Sequence, residues 1–381
     1  MSTESQSGTP VARSPYRGRP GRTFWKKSIS GRDVADLQGI YTKKFEIDPS
    51  SSVATAGSCF AQHISRYLRG AGYNVVDAEP GPGNVDVELL REHGYGVYSA
   101  RYGNIYFVRQ LLQLAQEAFS GSVREDIAWQ RGDRWFDALR PAVEPEGLAS
   151  AAHVERQRAE HIVAVRSVLT DSDVLVFTLG LTEGWEDVRS GTIYPTAPGT
   201  IAGDYDPDRY RFHNFTVSEI VQDFTEFRTL VRTVNPGIKF LLTVSPVPLA
   251  ATATDDNVLV ATTYSKAVLR AAAGMLASEF DDIDYFPSYE IVTSHAPGNE
   301  PFDETGRNVR PETVEKVMAY FLSEHVARGA EADADADAGH PVAPPASPEA
   351  AGRNPKSADY EAVDERVFCE EAILEAFADE D

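Results

Sequence analysis

The stretch VATAGSCFAQHISRYLRG, residues 53–70, decides the fold. Val53–Ala56 is a short apolar run of the kind buried on both faces of a sheet, and Gly57 ends it. Phe60, Ile64, Tyr67 and Leu68 then recur at helical spacing, and Gly70 and Gly72 mark the end of that helix. A strand that turns at once into a helix places Ala56–His63 at the carboxyl edge of a sheet, where open α/β sheets bind ligands.

Working outward, the same alternation repeats. Asn74–Asp77 reads as a second strand, and Asn104–Val108 leads into a helix over Arg109–Ala118. Residues 120–150 carry Trp129, Trp135 and Phe136 in a polar setting and read as a hairpin-like insertion. A polar helix follows over His153–Leu169, then a buried strand over Asp173–Gly180. Val217–Thr233 is helical with Ser218 a candidate cap, Pro236-Gly237 is a turn, and Lys239–Ser245 is a buried strand. Asp256–Glu279 is a helix, Ile283–Phe286 a strand, and Arg310–Ala327 the closing helix. Apolar strands alternating with amphipathic helices predict an α/β fold. It is a mostly parallel sheet flanked by helices on both faces, a three-layer sandwich of the flavodoxin-like kind, forming one domain over residues 45–328.

The flanks read differently. Residues 1–14 are polar and aperiodic, which predicts disorder. Residues 15–44 interleave aromatic and basic side chains (Tyr16, Phe24, Trp25, Tyr41) as an arm packing on the core. Residues 329–358 are an acidic, low-complexity linker. Residues 359–381 return to helical periodicity among acids, with Val363, Val367, Phe368, Ile373, Leu374 and Phe377 as the apolar set. This acidic amphipathic helix either docks on its own chain or a neighbouring copy, or binds a protein partner.

Of 381 residues, 42% are hydrophobic, enough for a sizeable core. No apolar run is long enough to span a bilayer, and the basic N-terminus has no apolar stretch behind it. The expectation is a cytoplasmic protein with no membrane partner. The net charge of −22 repels phosphate backbones, which argues against nucleic acid as a partner. Two cysteines, Cys59 and Cys369, make no disulfide framework, and they and the scattered histidines give no zinc spacing. No P-loop, dinucleotide or HExxH motif occurs, so neither a cofactor nor a metal is expected.

The chemistry gathers at Gly57-Ser58-Cys59. A Ser or Cys there meets the N–H groups and dipole of a helix N-terminus, which stabilise negative charge. That environment favours a cysteine thiolate and can hold the oxyanion of acyl transfer. His63, four residues after Cys59, shares its helix face and is a candidate base or ion-pair partner. The competing reading is a small buried residue that serves packing alone.

The strings AGSCFAQHISRYLRGAGYNV, YGNIYFVRQLLQL, VLVFTLGLTEGWED, FHNFTVSEIVQDF, NPGIKFLLTVSPVPLAAT, YSKAVLRA and DYFPSYEIVTS resemble the GSCFA family, in order, from about Pro15 to Leu322. That family is similar in organisation to the SGNH/GDSL esterases and acyltransferases. The resemblance puts Cys59 in the nucleophile's place, with Ser58 the alternative if the turn is shifted by one. It implies that Gly57, Gly103 and Asn104 serve the oxyanion, and that Thr182 or Glu183 stands where the group's oxyanion-hole Asn would be. In place of the group's distal Asp-x-x-His this chain has Thr305-Gly-Arg-Asn308. His295, with Asp303 or Glu304 to orient it, is then the candidate base from the right region, beside His63.

Trp185, His213 and Asn214 are candidate substrate contacts, an aromatic suiting a sugar face, and Lys266 could hold an anionic group. Ser245-Pro-Val-Pro248 reads as a rigid pocket wall. The expected activity is acyl hydrolysis or transfer on an ester or acylated carbohydrate or other small metabolite. The alternative is a non-catalytic binding or regulatory protein that lacks the Asp–His pair.

Overall fold

The computed structural model describes residues 14–121, 124, 126–297, 299–325 and 370–379. In chain order its strands are β1 (Val53–Gly57), β2 (Ala128–Arg131), β3 (Arg134–Asp137), β4 (Val174–Leu179), β5 (Glu183–Asp187), β6 (Ile193–Tyr194), β7 (Tyr210–Asn214), β8 (Lys239–Val244) and β9 (Ile283–Tyr285). Its α-helices are α1 (Trp25–Ser28), α2 (Phe60–Gly70), α3 (Val87–Glu92), α4 (Val108–Ser120) and α5 (Ala151–Asp171). They continue with α6 (Val217–Arg232), α7 (Val258–Glu279), α8 (Ser288–Val292) and α9 (Pro311–His325).

The central sheet runs β1-β4-β8-β9, and every pair in it is parallel. Side-chain alternation splits its residues between two cores. Ala54, Ala56, Leu175, Phe177, Leu179, Phe240, Leu242 and Val244 join the cluster under α4–α7. Val53, Val174, Val176 and Leu241 join the cluster under α2, α8 and α9. Helices cover both faces, as the apolar runs predict. Phe224 and Phe227 of α6 meet Phe240 edge-on at 5.6 and 5.9 Å, and each such burial contributes about 2–3 kcal/mol.

Residues Asn74–Asp77 differ from the expectation. In place of a strand they supply one isolated parallel bridge, Val75 to Val53. This short contact still sits on the far side of β1 from β4. The chain therefore leaves β1 first in one direction and then in the other, which puts the topological switch point between β1 and β4.

The insertion forms as the β2–β3 hairpin. A second insertion, the antiparallel sheet β6-β5-β7, was not legible as strands because its apolar runs are short. The cap of α6 is Thr216 in place of the expected Ser218. Its hydroxyl and Glu219 make a reciprocal capping box.

The N-terminal arm packs on the core through Val34, Leu37 and Tyr41, while Tyr16 and Trp25 stay exposed. Tyr41 Oη donates to Asp284 at 2.9 Å and lies 3.0 Å from His325 Nε2. His325 Nδ1 accepts the Ile47 N–H at 3.2 Å, which fixes a neutral imidazole. The expected disordered residues 1–13, the linker and residues 359–369 lie outside the described residues. No described helix is long and apolar enough to cross a membrane.

Three half- to fully buried histidines have proton affinities held low. His161 is pushed down to about 3, and His63 and His325 to about 4, chiefly by burial, with nearby Arg140, Arg66 and Lys43 respectively adding repulsion. The unfolded chain binds these protons near pH 6.5 and the folded chain does not. Stability from this source is complete above about pH 6.5 and falls as pH drops towards 4, at up to about 4 kcal/mol per pH unit near pH 5. Urea midpoints measured at pH 7, 6 and 5 are expected to fall steeply over the last interval. A flat profile would contradict the neutral assignment.

Candidate functional site

Gly57 makes the turn possible. Its φ is +137°, and a Cβ there would lie 2.5 Å from the Thr178 carbonyl oxygen and 2.7 Å from its nitrogen. Only glycine allows β1 to press this closely on β4. Ser58 N–H then donates to Thr178 O at 3.1 Å, and the chain enters α2 with Cys59 as its N-cap residue. Ser58 and Cys59 are 2% and 3% exposed. Ser58 packs towards β4, its Cβ 2.8 Å from where a Gly180 Cβ would stand. Its Oγ has no hydrogen-bond partner among the described residues.

The second wall is the loop Gly103–Phe107. Ile105 N–H donates to Gly57 O at 2.9 Å, and the Gly180 and Leu181 N–H groups both lie 3.2 Å from Tyr106 O. This loop therefore bridges the carboxyl ends of β1 and β4. Gln110 reaches back from α4, donating to Asn104 O at 3.1 Å and accepting from Tyr106 N–H at 3.0 Å.

Within that frame the Asn104 carboxamide is oriented. Tyr98 Oη donates to Asn104 Oδ1 at 2.5 Å and also lies 3.1 Å from Ser58 O. Gln62, on the first turn of α2, donates Nε2 to the same Oδ1 at 3.3 Å. With Oδ1 occupied, Nδ2 is the outward donor, and it donates to the carboxylate of Glu370. Tyr106 Oη donates to Glu370 Oε2 at 2.8 Å. Gln62, the Ser58 carbonyl and Asn104 are thus joined, partly through Tyr98, at the sheet edge where Cys59 opens α2.

A buried charge network supports this loop from behind. Arg140 donates Nη1 to Arg101 O at 3.0 Å and Nε to Asp137 at 2.8 Å. Arg158 bridges Asp137 and Glu117, and Glu79 accepts from His161 Nδ1 and from Arg101 N–H, both at 2.6 Å. Burial opposes charge on Glu79, but the His161 hydrogen bond and Arg140 hold its carboxyl down near 2. Arg140→Met leaves Asp137 and Glu79 without their shared cation. The expected loss is about 3 kcal/mol in urea unfolding, since a broken buried pair strands its partner. A change within 0.5 kcal/mol, about the size of an inert surface substitution, would remove this network from the account.

The other candidates fall as follows. His63 stacks on Phe60 at 5.6 Å, and no hydrogen bond joins it to Cys59. His295 is exposed in the loop after α8. Asp303, expected to orient it, instead binds Thr305 Oγ1 and, at 2.9 Å, Asn308 Nδ2. Those bonds hold its carboxyl below the usual range. Thr182 is fully buried, its N–H donating to Ser265 Oγ at 3.1 Å. Glu183 turns away from an oxyanion role, accepting from Thr252 Oγ1 at 2.9 Å and Ala253 N–H at 3.2 Å.

Lys266 is buried and donates Nζ to Gly180 O at 2.7 Å, so it braces the end of β4. Trp185 meets Tyr205 and Phe212 edge-on at 5.4 and 5.8 Å. His213 pairs through Nε2 with Glu219 at 2.9 Å and stacks on Phe215, and the neighbouring Asn214 keeps a buried Oδ1 with no partner among the described residues. These three belong to the β5–β7 sheet rather than to the Cys59–Asn104 edge.

Sequence reasoning missed Gln62, Tyr98, Tyr106 and Glu370. Gln62 was recoverable, lying three residues after Cys59 on the same helix. The others arrive by tertiary folding with no local signature. Among the described residues no group of three or more His, Cys, Asp or Glu is arranged to hold a metal ion.

No curated protein matches this chain. The switch-point crevice, the Gly-Ser-Cys turn and the Asn104 loop all lie within residues 52–321, which match the GSCFA family, and the chain belongs to that family.

Proposed function

We propose that this protein is an acyl hydrolase or acyltransferase of SGNH/GDSL type that works through Cys59 on an ester or acylated carbohydrate or other small metabolite. The observation that carries this is the pairing of a cysteine at a helix N-cap with a side-chain amide whose donor end is aimed by two hydrogen bonds. The Cys59 thiol gives its proton to water, and the thiolate attacks the acyl carbon, forming an S–C bond while the carbonyl π electrons move to oxygen. Asn104 Nδ2, Tyr106 Oη and the N–H groups opening α2 are the donors for that oxyanion. Collapse breaks the ester C–O bond and releases the alkoxide, which takes a proton from water. Water or an acceptor hydroxyl then attacks the thioester, giving the acid or new ester and returning the thiol.

His63 is held neutral by burial and stacks on Phe60, so esters with good leaving groups are the substrates best suited to this site. Mixing the protein with p-nitrophenyl acetate and digesting it should place an acetyl group on the Cys59 peptide. Turnover with no acyl-Cys59 at any time point would sink the proposal.

A second reading has its own support. Asn308 stands at the distal block, bound to Asp303, and His63 is neutral and turned to Phe60. A distal block with Asn308 in place of a histidine suits a binding or regulatory protein. Saturable binding of acylated ligands with neither adduct nor turnover across ester classes would select it.

A further inference from the structure

The last described segment, Glu370–Asp379, is a 3-10 helix rather than the α-helix its periodicity suggests, and its first two residues are buried. Glu370 is 3% exposed. Its Oε2 takes the Tyr106 and Asn104 donors, and its Oε1 lies 3.5 Å from where a Gly103 Cβ would stand. Glu371, also buried, pairs with Arg307 at 3.4 Å, and Arg307 donates Nε to Pro248 O at 3.3 Å. The second anchor therefore rests on the loop after β8 and on the loop before α9.

Burying a carboxylate is costly unless donors meet it. Burial pushes the Glu370 carboxyl up, and the Asn104 and Tyr106 hydrogen bonds oppose that. The donors themselves do not depend on Glu370, because Tyr98, Gln62 and Gln110 orient the Asn104 loop from the other side. A side-chain carboxylate presents the same planar carbon and oxygen acceptors as a carboxylic acid product or an ester carbonyl. Its occupancy identifies what these donors bind, a carboxylate or carbonyl oxygen.

We infer that Asn104, Tyr106 and the Gly103 turn form a carboxylate- and acyl-oxygen site whose ligand is a small carboxylic acid or its ester, and that Glu370 fills it as a tethered competitor. The acidic C-terminal segment thereby closes the same site that the proposed activity uses, and this inference rests on that placement of Asn104. Displacing the segment opens the crevice to ligand.

The test follows alkylation of Cys59 by iodoacetamide in the full-length chain, read by peptide mass so that Cys369 is scored separately. Glu370→Ala and Glu370→Lys should each raise the Cys59 rate at least tenfold over the native chain. Added acetate should slow alkylation of the Glu370→Ala chain and leave the native rate unchanged. Circular dichroism melting of each variant establishes that it is folded. Should the lysine variant fail to fold, the alanine variant alone decides.

Rates equal to native in the folded variants would overturn the inference, as would no protection by acetate. The native rate should also be unchanged by tenfold dilution of the protein. A rise on dilution would mean that a second copy supplies the segment, and would overturn the tether. None of these readouts needs turnover. A protein that fails the ester test but passes this one loses the proposed activity and keeps the site.

Discussion

Cys59→Ala is expected to reduce turnover of an activated acetyl ester by on the order of 10³-fold or more, in the native chain and in the Glu370→Ala background alike. The magnitude follows from the role. Deleting a nucleophile removes the covalent route entirely and leaves only the oxyanion donors and substrate binding. The fold should survive, because Cys59 is an N-cap residue whose side chain makes no capping hydrogen bond. The buried thiol it removes is worth about 1 kcal/mol. Ser58→Ala is the matched control. Ser58 is wedged towards Gly180, so its removal should change turnover by less than about tenfold. Equal losses in both variants would mean that the turn is merely disturbed. A large loss in Ser58→Ala alone would exchange the roles of the two residues.

Gly57→Ala should be the most destabilising single substitution considered, costing at least about 4 kcal/mol in urea unfolding or leaving no folded protein. Two effects add. The φ of +137° lies where side chains other than hydrogen are strained, and the new Cβ would meet backbone atoms of Thr178 at 2.5 and 2.7 Å. Backbone cannot step aside as a flexible side chain would, because Thr178 is held in register with both Gly57 and Thr243. Relief requires β1 and β4 to separate, which opens both cores at once. Gly57→Ala with near-native stability would show that the turn has another conformation available, and the site geometry would have to be rebuilt from it.

Much of this arrangement was legible in the residues because its physics is local. The run Val53–Gly57 followed by a helical period from Phe60 specifies a strand-to-helix turn without help from the rest of the chain. The strands β4 and β8 were equally plain, since strands buried on both faces read as near-continuous apolar runs. Asn74–Asp77 misled for the opposite reason. Its β-branched pair satisfies strand propensity, but it makes a single bridge to β1, carried by Asn74 O and Val76 N–H on Val53, and tertiary context overrides a weak local preference.

The site was half legible. Cys59, Gly57 and Asn104 stand in motifs, whereas Tyr98 and Tyr106 matter only because the loop before α4 folds back over Gly57. Glu183 and Thr182 follow a strand at the right edge, yet the loop Thr252–Ala253 claims the Glu183 carboxylate. No spacing rule could join Glu370 to Asn104 across 266 positions of sequence. The tail's periodicity marked an amphipathic segment and left open whether it docks on its own chain or binds a partner.

The most direct test of Cys59 as the acyl carrier is time-resolved peptide mass spectrometry of the Glu370→Ala chain during reaction with p-nitrophenyl acetate. One acetyl group is expected on the Cys59 peptide, appearing with the burst of nitrophenolate, decaying as the ester is exhausted, and absent in the same chain carrying Cys59→Ala. Nitrophenolate release at an undiminished rate in the Cys59→Ala chain, with no acetyl on Cys59 in its parent, would contradict it.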